Sequence, residues 1–202
     1  MKKILLFQLI FGLVTINSNA HEGTSLLICF TPAMTTSYTP KLPLERMVDF
    51  TGKISLRGVE VDINHFIKNN LSLGLTIGMT IFKEKSTDKT LDNDDLFITG
   101  NQFRNARIVP LNVTLKKYFT SNSFSPYAGI GIGTNYAKLS DEIGIVSINN
   151  VKWQFNVAPE VGMYYNLNHK NMIVIKVKCN YSPKTGDFPT LSYMAFGFGL
   201  GF

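Results

Sequence analysis

The sequence predicts an all-β protein, a single eight-stranded antiparallel up-and-down transmembrane β-barrel. Three observations predict it. First, Leu191 to Phe202 reads L-S-Y-M-A-F-G-F-G-L-G-F, with Met194, Phe196, Phe198, Leu200 and Phe202 at every second position and Ala195, Gly197, Gly199 and Gly201 between them. Successive strand side chains point to opposite faces, so one face is a continuous apolar band and the other is nearly bare backbone. A soluble sandwich strand would turn a polar face to water, whereas a small face suits the crowded interior of a narrow closed barrel. Second, seven further segments share this alternation. Third, the connections between them alternate long and short, as in barrels with short turns on one membrane side and longer loops on the other.

The elements follow in chain order. Met1 to Ala20 opens with Lys2 and Lys3, continues through an apolar run from Ile4 to Ile16 and closes on Ser18-Asn19-Ala20. A membrane-crossing helix needs about 20 apolar residues, so this run reads as a signal peptide, with residues 21–202 as the barrel domain. The first strand is expected over roughly Thr24 to Ala33 and the second over Lys53 to Asn64. In the second, Ile54 and Leu56 share one phase and Val59, Val61 and Ile63 the other, so a β-bulge is expected beside Gly58. The third, Leu71 to Phe82, sets Leu71, Leu73, Leu75, Ile77, Met79 and Ile81 against Ser72, Gly74, Thr76, Gly78 and Thr80. The fourth runs from Ile108 to Phe119, the fifth from Phe124 to Lys138, the sixth from Val151 to Tyr165, the seventh from Met172 to Tyr181, and the eighth is the terminal strand. Such lengths match the roughly 9–11 residues of a tilted membrane-crossing strand. An even strand count brings both ends of the barrel to the short-turn side, the periplasmic side of such a barrel. The long loops are expected at Met34 to Thr51, Lys83 to Arg107, Leu139 to Asn150 and Ser182 to Thr190.

Aromatic residues sort into two expected belts at interfacial depth. Phe66, Tyr118, Phe119, Phe124, Tyr164, Tyr165 and Phe202 lie near the short-turn ends, and Phe82, Tyr136, Trp153, Tyr181 and Tyr193 near the opposite ends.

The segment K-I-S-L-R-G-V-E-V-D-I-N-H-F-I-K-N-N-L-S-L-G-L-T-I-G-M-T-I-F-K-E-K (Lys53 to Lys85) resembles the second and third strands of the small OmpX/OmpA-like outer-membrane β-barrel family, as do P-L-N-V-T-L-K-K-Y-F (Pro110 to Phe119) and S-P-Y-A-G-I-G-I-G (Ser125 to Gly133). The resemblance covers nearly all of residues 21–202 and rests on alternation, glycines and aromatics, which name no chemistry. It implies residence in the outer membrane of a Gram-negative bacterium, contact with outer-membrane lipid and lipopolysaccharide, and a monomer. It also implies that Met194, Phe196, Phe198, Leu200 and Phe202 form the signal read by the barrel-insertion machinery. No room is expected for a periplasmic peptidoglycan-binding domain after the last strand.

Charge excludes some functions. The formal charge of +6 falls to +4 without Lys2 and Lys3, and no basic run stands out, so nucleic-acid binding is not indicated. Cys29 and Cys179 lie on expected strands separated by a third, about 10 Å apart at ordinary strand spacing, too far for a disulfide.

An eight-stranded barrel leaves an interior just wide enough for side chains to fill. The expected interior charges are Arg57, Glu60, Asp62, Lys116, Lys152, Glu160, Lys176 and Lys178. They must find partners or water, because an unpaired buried charge costs several kcal/mol. The principal expectation is an ion-paired plug. The alternative is a narrow, weakly anion-preferring pore, because five basic groups outnumber three acids.

Some barrels of this size modify lipid A with a histidine-containing triad near the outer leaflet, chemistry that needs a His oriented by a carboxylate. Here His21 stands at the expected new N-terminus, and His65 and His169 fall in short turns away from that leaflet. No catalytic residue is therefore assigned. Asp92, Asp94 and Asp95 share only the start of an EF-hand loop, without its Gly and its closing Glu, so no metal site and no cofactor is assigned. The expected function is structural or surface-interacting and non-catalytic, with an extracellular ligand taken by the long loops. A lipid A-modifying enzyme and a secreted, soluble ligand-binding barrel are the competing expectations.

Overall fold

A computed structural model of the protein describes residues 23–36, 54–68, 70–93, 96–120, 123–143, 146–167, 171–186 and 188–202. The expected signal peptide, its cleavage boundary, His21, His169, Asp94, Asp95 and nearly all of the Met34 to Thr51 loop lie outside these residues.

The described residues form ten strands: β1 (Thr24–Phe30), β2 (Ala33–Thr35), β3 (Ile54–Ser55), β4 (Gly58–Lys68), β5 (Leu71–Asn93), β6 (Leu96–Tyr118), β7 (Phe124–Ile143), β8 (Val146–Asn166), β9 (Met172–Ser182) and β10 (Leu191–Gly201). They form one antiparallel ring of eight staves, because β1 with β2, and β3 with β4, are two interrupted staves. The ring closes where β10 pairs with β1 (Ile28 opposite Leu200) and with β2 (Met34 opposite Met194).

The interruptions have a common cause. Pro32 has no N–H to give the ladder, and its carbonyl accepts from Phe196 N at 2.8 Å. On the next stave, Phe30 faces Val59 and Ala33 faces Ser55, so three steps on one side oppose four on the other. The extra residue reverses the side-chain phase, which explains why Ile54 and Leu56 point outward with Val59. Gly58 is required there: a Cβ would stand 1.9 Å from the Thr31 carbonyl oxygen.

The outer surface is apolar. Leu73, Leu75 and Ile77 on β5, Leu111, Val113 and Leu115 on β6, Ile130 and Ile132 on β7, and Phe196, Phe198 and Leu200 on β10 all face outward and exposed. A row of bulky apolar side chains around a closed ring is a surface for lipid. Backbone groups are paired in the ladders, which a hydrocarbon environment demands.

Two expected loops are strands. Lys83 to Arg107 continues the β5–β6 hairpin to its tip, with Asn93 opposite Leu96 and a register irregularity between Ser86 and Lys89. Leu139 to Asn150 continues β7–β8, with Ile143 opposite Val146. In Lys83 to Arg107 charged and polar residues fall on both phases, which removes the period-two signal of a half-buried strand. In Leu139 to Asn150 the residues Leu139, Ile143, Val146 and Ile148 share one phase, but Asp141 and Asn150 interrupt it. The four strands rise together beyond the apolar band, joined by β6–β7 pairing from Gln102 opposite Ile143 downward. The Ser182 to Thr190 connection is an inward-folded turn, with Thr185 bridged to Phe188 and Gly186 at a φ of 60°.

Candidate functional site

Among the described residues, it is in the lumen that the alternation of the staves brings polar and charged side chains into one volume. Glu60 and Asp62 enter it from β4, Lys116 from β6, Glu160 from β8, and Lys176 and Lys178 from β9, all of them buried. Each lysine contacts two carboxylates, and each carboxylate contacts two lysines. Lys116 Nζ lies 3.1 Å from both Asp62 Oδ2 and Glu160 Oε1. Lys176 Nζ bridges Asp62 Oδ2 and Glu60 Oε1 at 2.5 Å. Lys178 Nζ closes the circuit, 2.7 Å from Glu60 Oε1 and 3.2 Å from Glu160 Oε2. Three positive and three negative charges alternate around a neutral ring. Thr76 Oγ1 donates to the remaining oxygen of Asp62 at 2.7 Å.

The terminal strand makes this ring possible. A Cβ on Gly197 would stand 2.6 Å from Lys176 Cγ, so the bare glycine face is the space the lysine stem occupies.

Arg57 and Lys152 stand apart from the ring, and both are exposed. Arg57 sits in the bulge, where the phase reverses. Lys152 keeps the inward phase of Gln154 but lies at the outer mouth beside Gly186. Without them the excess of positive charge that favoured an anion-preferring pore is gone.

Layers close the lumen on both sides of the ring. Toward the short turns, Tyr118, Tyr127 and Tyr164 stack, with ring centroids 5.6 Å apart for Tyr118–Tyr164 and 4.9 Å for Tyr127–Tyr164. Phe66 packs against Tyr118 at 5.2 Å, and Lys116 Nζ lies 5.4 Å from the Tyr127 ring centre. On the other side, Asn156 Nδ2 donates to Asn112 Oδ1 at 2.9 Å and Asn135 Nδ2 to Ser182 Oγ at 2.7 Å. At the outer mouth, Phe82, Ile108, Leu139, Phe188, Leu191 and Tyr193 form an apolar lid. Phe188 is 1% exposed. Its turn is anchored by Gln154 Nε2, which donates to the carbonyls of Pro183 at 3.0 Å and Pro189 at 2.9 Å.

This corrects the aromatic belts. Tyr118 and Tyr164 are buried in the lumen rather than at the lipid interface, Phe66 packs with them, and Phe82 and Tyr193 belong to the lid. Phe119, Phe124, Tyr165 and Phe202 remain outward at one rim, and Trp153 and Tyr181 at the other. The signal for the inward set was their phase: Tyr118 is two residues from Lys116 and Phe82 two from Thr80.

Of the remaining assigned residues, Phe196, Phe198, Leu200 and Phe202 are exposed on the lipid-facing side of β10, and Met194 is half-buried there. His65 lies at the short-turn rim, its Nδ1 3.2 Å from Thr24 Oγ1. Cys29 is buried in the lumen and Cys179 is exposed, both as free thiols. Among the described residues, no group of His, Cys, Asp and Glu is arranged to hold a metal ion.

No family model matches the chain, and no curated protein matches it in sequence. Solved structures do match in fold. The outer membrane protein OprG of Pseudomonas aeruginosa is 15% identical, with a TM-score of 0.53 over 90% of this chain and 95% of that one. Neisserial surface protein A is 11% identical, with a TM-score of 0.52 over 88% and 94%. The outer membrane protease OmpT of Escherichia coli is 9% identical, with a TM-score of 0.50 over 93% and 99%. The fold, an antiparallel eight-stave ring with an apolar outer band, is that of the outer-membrane β-barrels.

Proposed function

We propose that the protein is a sealed, non-catalytic barrel of the Gram-negative outer membrane that serves as a scaffold for surface interaction. The observation that carries this reading is the neutral ring of three lysines and three carboxylates, closed below by stacked tyrosines and above by the Phe188 lid. In a low-dielectric lumen each ionic group is compensated by two neighbours, so the ring resists hydration and leaves no charge to draw ions. The sequence beyond the lipid band is spent on the protruding β5–β8 sheet. That sheet is the part of the molecule available to an extracellular ligand, and the hairpin rim is its outer side.

Catalysis has no support in the lumen, where every carboxylate is held by lysines and His65 stands at the far rim. Insertion into the membrane uses the outward phase of β10, from Met194 to Phe202, as its recognition signal, and the barrel works as a monomer.

The experiment is conductance of the purified full-length protein in planar bilayers. A silent bilayer holding protein that still shows the faster gel mobility of an unboiled barrel is the expected result. Stepwise anion conductance would overturn the sealed reading in favour of the narrow pore.

A further inference from the structure

The outward wall of β5–β8 changes character in successive rows above the lipid band. Val109, Tyr136 and Trp153 lie side by side on β6, β7 and β8. Tyr136 and Trp153 meet edge to face at 5.1 Å, and Trp153 is 59% exposed. An exposed aromatic pair of this kind marks interfacial depth. One pleat higher, about 7 Å along the strands, the row is Ile81, Arg107, Lys138 and Val151. The next is Lys83, Asn105, Ser140 and Asn149.

Arg107 and Lys138 are therefore direct cross-strand neighbours of like charge, with Lys83 diagonal to Arg107. Such a pair destabilises a sheet unless an anion lies between its members. The phase of both is outward, since Ala106, Ile108, Ala137 and Leu139 on either side are buried in the lumen. Among the described residues no carboxylate pairs with Arg107, Lys138 or Lys83; the nearest outward acid on β7, Glu142, stands opposite Phe103 two rows higher. Asn105 and Ser140, in the row of Lys83, add neutral hydrogen-bonding groups one pleat higher, the Ser140 hydroxyl donating to Asn149 Oδ1 at 2.7 Å.

We infer that Arg107, Lys138 and Lys83 form a binding site for the phosphate of a phosphorylated glycolipid headgroup in the outer leaflet. The site faces the lipid and sits one pleat above the aromatic row, the depth at which headgroup phosphates lie. Arg presents a planar fork that matches phosphate oxygens in pairs, and the lysines add point charges. The aromatic pair below offers an apolar bed to the first carbons of the acyl chains. The inference rests on the proposed orientation, with the hairpin rim outside.

Binding of diphosphoryl lipid A to the full-length protein in detergent, followed by native mass spectrometry, tests it. R107Q/K138Q is compared with wild type and with K68Q/K117Q, which removes two exposed lysines at the opposite rim. The unboiled gel shift establishes that each variant is folded. The expected result is about tenfold or greater weakening in R107Q/K138Q alone, the scale of losing charge-assisted hydrogen bonds, with dephosphorylated lipid A bound equally weakly by both proteins. Equal binding of lipid A by wild type and R107Q/K138Q overturns the site. Inorganic phosphate displacing lipid A at comparable concentration overturns the lipid assignment, leaving a free-anion site. Weakening in K68Q/K117Q instead overturns the orientation itself, and with it the outer hairpin rim of the proposed function.

Discussion

Lys176 depends on what its neighbours on β10 lack. Its stem lies in the space left by Gly197, and its ammonium joins Glu60 to Asp62. Replacing it with methionine keeps the volume and leaves two carboxylates sharing fewer cations in a buried interior. Breaking one partner out of a buried ionic set costs about 3–5 kcal/mol, so K176M should lower the unfolding free energy of the refolded barrel by that scale, read as a lower urea midpoint at unchanged slope. An unchanged midpoint would mean that water, and not the lysine, compensates the acids. Substitution at the other side of the same contact gives an independent check. G197A places a methyl group against Lys176 Cγ, and overpacking of this kind costs about 1–3 kcal/mol. The loss should be smaller in the K176M background, where the thioether bends more easily.

At the scale of elements, the hairpins divide into a part that lipid requires and a part that it does not. Among the described residues, the ion ring, the tyrosine stack and the Phe188 lid are built from positions below the pairing of Ser86 with Gln102. Joining residue 86 to residue 102 through a short turn should therefore leave the unboiled gel shift in place and the unfolding free energy from urea titration within about 0.5 kcal/mol of wild type, the scale of changes away from packed features. Collapse of the barrel on that deletion would show that the protruding sheet supports the ring beneath it. The bulge behaves in the opposite way. G58A drives a Cβ into the Thr31 carbonyl and should reduce refolding yield.

The eight staves were legible in the sequence wherever one phase was apolar, from Leu71 to Ile81 and from Met194 to Phe202 most clearly. The bulge was legible too, as a change of phase between Leu56 and Val59. The continuation of β5 to β8 beyond the lipid was not, because alternation reports a difference between two faces, which Lys83 to Arg107 lacks and which Asp141 and Asn150 interrupt in Leu139 to Asn150. Six members of the ion ring could be read from phase alone. Arg57 was misplaced because a bulge reverses phase one residue at a time, and Lys152 because phase says which way a side chain points and not whether the barrel still encloses it. Tyr118, Tyr164, Phe82 and Tyr193 carried the correct inward phase. The preference of aromatics for membrane interfaces obscured it. Phe188 lies in a Pro-bounded turn with no periodicity, and nothing local marks it as the residue that closes the mouth.

For the whole molecule, the proposed function requires a lumen that is dry and closed from both sides. Cys29 reports on this directly. It lies in the lumen, 1% exposed, in the apolar layer with Leu27, Tyr118 and Tyr164. Cys179 faces outward, so C179S leaves one thiol inside. The measurement is reaction of C179S, folded in a phospholipid bilayer, with a small charged water-soluble methanethiosulfonate, read by intact mass. A sealed barrel leaves Cys29 unmodified over hours while the urea-unfolded chain reacts completely. Modification of the folded protein within minutes would show water and ions reaching the ring, and would contradict the sealed barrel.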